Sequence, residues 1–122
     1  MLHSRDRRVA DSIRQTLSDL FQKDIQDPRL PPIVTFTHVE VAKDLRTAKV
    51  FYSHLPDDDR SLTNMEALLR DSAGFIRSRI AKEVNLKFTP TLHFRYDPSS
   101  ANYQRINTVL HRITDKKPDS AT

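Results

Sequence analysis

The sequence of 122 residues contains no cysteine, no tryptophan and a single glycine, Gly74. The absence of cysteine excludes disulfide bonds and thiolate metal sites. One glycine cannot build a glycine-rich phosphate loop. No apolar run is long enough for the core of a signal peptide or for a membrane span, so we expect a cytoplasmic protein.

Catalytic and metal-binding patterns are also scarce. No serine stands in a G-x-S-x-G setting. His38, His54 and His93 fall on predicted strands, but His54 lies on the opposite face to the other two, and two histidines without a third ligand rarely hold zinc. The acidic run at residues 57–59 lacks the spacing and the glycine of a calcium loop. We therefore expect no metal, no cofactor and no enzymatic activity.

Basic residues outnumber acidic ones in this chain. It has 20 Lys and Arg residues against 16 Asp and Glu residues, which gives a formal charge of +4 and a pI near 9.6. A small basic domain suggests a polyanionic partner, and RNA, DNA and an anionic membrane are the candidates. No predicted helix has the broad apolar face and basic rim of a membrane-surface helix. Nucleic acid is therefore the favoured partner.

Hydrophobic periodicity predicts a single α+β domain over residues 1–113 and a polar, flexible tail over 114–122. Three strands would form one sheet that is covered by helices on one face. Ser61 or Thr63 is expected to cap the helix that follows the acidic loop. In chain order, the predicted elements are a helix at 5–23, strands at 33–41 and 47–54, a helix pair that is interrupted at 72–74 and ends near 84, a strand at 91–96 and a C-terminal helix ending near 113.

The lone glycine lies within a helical pattern, so Ser72, Ala73 and Gly74 predict a kink between two helices. Small residues at a kink allow another backbone to approach closely, and the N-terminus of the second helix presents N–H groups that favour anions. On this interpretation, Gly74→Val should damage the kink. The alternative is a glycine that merely lets two helices pack.

The densest basic stretch with a defined backbone geometry spans residues 70–87, which contain five cationic and two anionic side chains. Cations on the first helix and in the hairpin loop provide further positive charge. For any one of them, a solvated surface charge is an equal alternative to a direct phosphate contact. The candidates for nucleic-acid binding are Arg70, Arg77, Arg79, Lys82, Arg7, Arg8, Lys43 and Arg46.

The order helix, strand, strand, kinked helix pair, strand resembles that of a type II KH domain, although the G-x-x-G loop of KH domains is absent. The segment Ser72-Ala73-Gly74-Phe75-Ile76-Arg77 resembles the kink of ribosome-binding factor A, a family of bacterial small-subunit assembly factors with a KH-like fold. That family usually has alanine where Ser72 stands. The resemblance covers about residues 5–113, and its other matches are Arg8-Val9-Ala10, Asp27-Pro28-Arg29-Leu30, Val39-Glu40-Val41, Ala48-Lys49-Val50 and Pro90-Thr91-Leu92-His93-Phe94.

The resemblance implies a non-enzymatic protein that binds the free 30S subunit and its 16S rRNA near the decoding region. It further implies a role in maturation of the pre-rRNA 5′ end and in cold adaptation, a possible assembly GTPase as partner, and a monomer. Phe75 and Tyr96 are expected in the core, so recognition should depend on RNA shape and backbone more than on base stacking. The alternatives are a KH-like module for another nucleic acid and a protein–protein adaptor that uses the exposed sheet face and the first helix.

Overall fold

The computed structural model describes residues 4–98, so the predicted C-terminal helix and the tail at 114–122 lie outside the described residues. The first helix, α1 (Ser4–Asp19), continues into one π-helical turn (Leu20–Asp24). Ile13 and Leu17 are fully buried, and the turn brings Phe21 edge-on against Phe36 at a centroid distance of 5.0 Å. The predicted amphipathic helix is confirmed, because its apolar residues recur three or four positions apart.

The three predicted strands are present as β1 (Ile33–Val41), β2 (Thr47–Leu55) and β3 (Thr91–Tyr96), and they form a sheet of that order. β1 and β2 are antiparallel, whereas β2 and β3 are parallel. A parallel pair needs a long crossover connection, and the helices between β2 and β3 supply it. A bulge between Phe36 and His38 shifts the register, so Phe36 and Val39 both face the helices despite their odd spacing.

One end of the polar sheet face is more covered than the alternation predicts. Strand alternation places Ser53 on the polar face of β2, opposite to Val50 and Tyr52, but Ser53 is fully buried, as is its neighbour His54. The chain leaving β3 explains this difference. The N–H of Asp97 donates to the carbonyl of Tyr52 at 2.7 Å, and its carboxylate accepts from the hydroxyl of Thr37 on β1 at 3.3 Å. Asp97 therefore reaches across β2 and covers this corner.

The crossover consists of α2 (Asp59–Asp71) and α3 (Ala73–Glu83), which bury Met65, Leu68, Ile76 and Ile80 against the sheet. The predicted caps of α2 are wrong. Asp58 caps the helix instead, since its carboxylate accepts the N–H of Ser61 at 2.8 Å. This bond holds the pKa of Asp58 below its usual value. The acidic loop thus supplies a helix cap.

The interruption between α2 and α3 is confirmed, but its origin differs from the prediction. Ser72 alone leaves helical geometry, with φ −96° and ψ 6°, and the N–H of Ile76 donates to its carbonyl at 2.9 Å. Gly74 has an ordinary negative φ, and a Cβ atom added there would meet nothing within 4 Å. The prediction that another backbone approaches Gly74 closely is therefore wrong for the described residues, 4–98. The geometric reason for expecting Gly74→Val to damage the kink disappears with it.

Candidate nucleic-acid interface

A groove of about 510 Å³ runs between the α2–α3 break and β3. Its floor consists of apolar and aromatic side chains from β2 and β3, and its wall comes from the end of α2 and the start of α3. Arg70 and Arg95 provide positive charge at its border, against one carboxylate, that of Glu66. The residues lining this groove are Tyr52, Glu66, Leu69, Arg70, Ala73, Leu92, Phe94, Arg95 and Tyr96.

The floor of the groove is a packed aromatic surface. Tyr52 contacts Phe94 and Tyr96 edge-on, at centroid distances of 6.4 and 5.8 Å. Burial, assisted by the charges of Glu66 and Tyr96, raises the pKa of Tyr52 to about 12. The phenol is therefore neutral at physiological pH. A neutral, close-packed floor gives shape to the groove and leaves the charge to its border.

The N-terminus of α3 opens beside this groove. Ser72 makes no side-chain hydrogen bond that caps α3, and the first N–H groups of an α-helix have no partner within the helix. Gly74 is exposed in the first turn and adds no side chain in front of these groups. Together with the positive end of the helix dipole, they form a region that favours phosphate oxygens.

The structure separates the four cations predicted around the kink. Arg70 borders the groove, and Arg77 extends toward the connection that precedes β3, where its guanidinium lies 3.5 Å from the carbonyl oxygen of Thr89. Arg79 and Lys82 lie on another side of α3, which they share with Phe75 because the three residues are spaced at i, i+4 and i+7. The four cations therefore do not form one cluster, because Arg79 and Lys82 lie on a different side from Arg70.

Arg79 is largely engaged within the protein. Its guanidinium pairs with Asp24 at 2.6 Å and lies 5.5 Å from the ring centroid of Phe75. Phe75 was expected in the core, but it is 49% exposed. The reason is that α3 buries a narrow stripe through Ile76 and Ile80, and Phe75 lies about 100° away from Ile76 around the helix. Phe75 therefore presents an exposed aromatic surface beside Arg79, where the sequence predicted a core residue.

The remaining predicted cations lie on the first helix and the hairpin loop. Arg7 and Arg8 are exposed near the start of α1. Arg7 lines a depression against β1 that also contains Asp6, Asp11 and Glu40, so its surroundings are of mixed charge. Lys43 and Arg46 are exposed in the loop between β1 and β2, away from the groove.

Two arginines outside the predicted set have defined positions. Arg95 borders the groove because β3 lies at the edge of the sheet, whereas strand alternation alone places it on the opposite face to Phe94 and Tyr96. Arg29 binds Asp27 through two nitrogen–oxygen contacts of 3.0 Å each, and it binds Asp71 at 2.7 Å. The hydrogen bonds from Arg29 to Asp27 hold the pKa of Asp27 below its usual value. Arg29 thus connects the turn after α1 to the break between α2 and α3. This role could not be predicted from the sequence, because Asp71 is distant from Arg29 along the chain.

Within the described part of the chain, no group of three His, Asp or Glu side chains is placed to hold a metal ion. His54 is buried with Nδ1 2.9 Å from the carbonyl oxygen of Pro56, whereas His38 and His93 are exposed. His3 and His111 lie outside the described residues. Among residues 4–98, no helix combines the length and hydrophobicity that spanning a bilayer requires.

Comparisons with known proteins agree on one family. The family model for ribosome-binding factor A matches residues 5–110. A ribosome-binding factor A from Clostridium perfringens is 39% identical over 116 residues, covering 95% of this chain and all of that protein. One from Pseudomonas aeruginosa is 38% identical over 112 residues, covering 90% of this chain and 85% of that protein.

Solved structures share the fold. The crystal structure of ribosome-binding factor A from Thermus thermophilus superposes with a TM-score of 0.62 at 20% identity, covering 75% of this chain and 94% of that chain. A homology model of the Thermus thermophilus protein, fitted into a cryo-EM map of its complex with the 30S subunit, gives a TM-score of 0.58 at 18% identity. It covers 80% of this chain and 96% of that one.

Proposed function

This chain belongs to the ribosome-binding factor A family, and from that premise we propose that it binds the free 30S subunit through 16S rRNA during late maturation. The family consists of ribosome assembly factors without enzymatic activity, so the predicted family and the predicted absence of catalysis are confirmed. The Thermus thermophilus relative fitted into a 30S complex supports the choice of subunit.

The observation that carries the proposal is the groove at the helix break. Arg70 and Arg95 border it, an uncapped helix N-terminus opens beside it, and exposed Gly74 leaves that end unobstructed. A KH fold places the nucleic-acid backbone at the junction of its two central helices. Guanidinium groups and helix N–H groups recognise phosphate oxygens regardless of sequence. The groove is therefore suited to an rRNA backbone whose shape is set by the subunit.

The finer parts of the proposal follow from the family. The protein would act near the decoding region, assist processing of the pre-rRNA 5′ end and support growth in the cold. It would act in the cytoplasm as a monomer, and an assembly GTPase would promote its release. None of these steps needs catalysis by the protein, since an RNA-binding domain can act by stabilising one conformation of its RNA.

Sedimentation with isolated 30S subunits, 50S subunits and 70S ribosomes across a salt series tests the proposal. We expect binding to free 30S subunits that weakens as salt rises. Equal binding to every RNA would indicate a generic basic domain. Salt-insensitive binding to a protein partner without RNA would favour the adaptor alternative.

Charge reversal locates the interface. Arg70→Glu with Arg95→Glu should weaken 30S binding strongly and leave the fold intact, because both side chains are at the surface. The control is Lys23→Glu with Arg60→Glu, which changes the net charge equally at two exposed positions outside the groove. From the basic stretch at residues 70–87, we also expect Arg77→Glu with Lys82→Glu to leave the fold intact and to weaken RNA binding. Normal binding by the Arg70→Glu/Arg95→Glu variant would show that the interface lies outside the groove.

A further inference from the structure

A second depression, which we call the loop cleft, lies beyond the C-terminal end of α3. It has a volume of about 240 Å³ and combines the start of α1, the β1–β2 loop and the connection from α3 to β3. It shares no lining residue with the groove. The residues that line it are Arg5, Asp44, Leu45, Arg46, Leu86, Lys87 and Phe88.

Positive charge dominates the loop cleft. Arg5, Arg46 and Lys87 are all exposed and come from three separate segments of the chain. Asp44 is the one carboxylate among the lining residues, and its oxygen accepts the backbone N–H of Arg46 at 3.0 Å. That carboxylate thus stabilises the turn. Three cations around a space of this size favour an anionic occupant.

An aromatic ring stands beside these cations. Phe88 is 68% exposed, which is more than any other large hydrophobic side chain within residues 4–98. The ammonium group of Lys87 lies 5.7 Å from the ring centroid. An exposed ring flanked by cations is the combination by which proteins bind single-stranded nucleic acid, because the ring stacks on a base while the cations neutralise its phosphates.

The loops that carry these groups are fixed to the sheet. Leu45 adopts a left-handed conformation with φ 62°, and its N–H donates to the carbonyl of Ala42 at 2.8 Å. The carbonyl of Arg46 accepts the N–H of Thr91 at 2.9 Å, which joins the hairpin loop to the first residue of β3. These bonds fix the backbone that carries Arg46, so less ordering of this loop is needed on binding.

We propose that the loop cleft is a subsite for one nucleotide of single-stranded RNA, whose base stacks on Phe88 and whose neighbouring phosphates contact Arg5, Arg46 and Lys87. This inference rests on the proposed function, because it assigns a second contact to the same rRNA partner. The volume is below the range of roughly 300 to 1,000 Å³ typical of sites for drug-sized ligands. A duplex keeps its bases stacked, so an unpaired nucleotide is required.

The position of the loop cleft extends the RNA path. It lies at one end of α3 and the groove lies at the other, and an 11-residue helix is about 16 Å long. A single strand that follows α3 would contact both sites. The unpaired nucleotide would then lie next to the backbone segment that is held at the helix break.

Fluorescence titration with a labelled oligonucleotide tests the subsite. The probe is an eight-nucleotide single-stranded RNA carrying 2-aminopurine, whose emission falls when the base stacks on an aromatic ring. We expect Phe88→Ala to weaken binding roughly tenfold and to abolish the quenching, and Phe88→Tyr to restore both. Ile33→Ala, which removes another exposed hydrophobic side chain, is the matched control and should bind as wild type does.

The salt dependence of the same titration tests the phosphate contacts. Arg46→Gln and Lys87→Gln should each reduce the slope of log K against log[salt] by about 0.7, the value for one phosphate of a single strand. Lys23→Gln, at an exposed position outside the cleft, should leave the slope unchanged.

Parallel sedimentation with 30S subunits separates the two proposals. If wild type binds 30S subunits but Phe88→Ala binds the oligonucleotide as wild type does, the subsite is refuted and the proposed function stands. If wild type binds the oligonucleotide through Phe88 but does not bind 30S subunits, the cleft is a single-stranded RNA site, and both the proposed function and the assignment of the cleft to rRNA are refuted. Loss of binding to phosphatidylserine vesicles in Phe88→Ala, with RNA binding unchanged, would make the cleft a membrane contact and overturn the inference.

Discussion

Replacing the lone glycine by alanine should stabilise this protein, although the sequence pattern predicts a structural glycine. Gly74 lies in the first turn of α3 with an ordinary negative φ, and a Cβ atom there would meet nothing within 4 Å. Glycine costs a helix about 0.5–1 kcal/mol relative to alanine, largely through the entropy of the unfolded chain. Gly74→Ala should therefore raise the free energy of unfolding by about that amount.

Urea denaturation followed by far-UV circular dichroism measures the effect. With a slope of about 1–3 kcal/mol per molar urea, the midpoint should rise by roughly 0.2–1 M without a change in slope. Ala81→Gly, at another exposed position in α3, is the matched control and should lower the midpoint. A lower midpoint for Gly74→Ala would mean that the space around Gly74 is filled, and the geometric argument would be refuted.

The same variant should have the opposite effect on binding. If rRNA phosphates approach the N-terminus of α3, a methyl group at position 74 stands between the phosphate and the helix N–H groups. Gly74→Ala should then bind 30S subunits less tightly while it resists urea better. Unchanged binding would show that the rRNA does not approach this turn. If both results are found, Gly74 lowers the stability of the free protein but improves its binding to the 30S subunit, which would explain why a glycine stands at this position.

Three further predictions concern the pairings inside the fold. Arg29→Gln should raise the pKa of Asp27 toward its usual value, and NMR titration of that carboxyl would show the change. Because the pKa of Asp27 is lowered in the folded wild type, wild type should lose stability more steeply than the variant as pH falls below about 4. Because burial raises the pKa of Tyr52 to about 12, wild type should lose stability as pH rises from about 10 toward 12. Tyr52→Phe should remove this loss, which urea titrations at about pH 8 to 11 would show. Arg79→Met should lower the free energy of unfolding by about 0.2–1 kcal/mol through loss of its ion pair, whereas Lys82→Met should leave it unchanged.

The elements of this fold were predictable because each has a strong local signal. The apolar spacing of Ile13 and Leu17 marks α1, and the alternation of Leu92, Phe94 and Tyr96 marks β3 at its observed bounds. The sequence-based interpretation was less accurate where a side chain depends on distant parts of the chain. Ser53 is buried because Asp97 reaches across β2, and no property of the strand itself indicates this.

The candidate site was predicted less well than the fold, because net charge does not show which cations are paired. Arg79 appeared equivalent to Arg70 in the sequence. Arg70, however, is exposed and lies 3.9 Å from the carboxylate of its neighbour Asp71, whereas Arg79 binds Asp24 at 2.6 Å from 55 positions away. Phe75 seemed to continue the apolar stripe of α3 but lies beside it and is exposed. Arg95 was overlooked because it belongs to a strand, although the edge position of β3 brings it to the groove.

The salt dependence of binding should follow from the number of cations that line the groove and the loop cleft at the two ends of α3. The chain has 20 Lys and Arg residues, but Arg29 and Arg79 are held by carboxylates, and Arg7 lies among acidic side chains. The groove and the loop cleft together present five cations, which are Arg70, Arg95, Arg5, Arg46 and Lys87. If each neutralises one phosphate of a single strand, log K should fall with log[salt] with a slope of about −3.5. A slope near zero would mean that apolar contacts dominate, and a much steeper slope would mean that the rRNA also contacts cations outside the groove and the loop cleft.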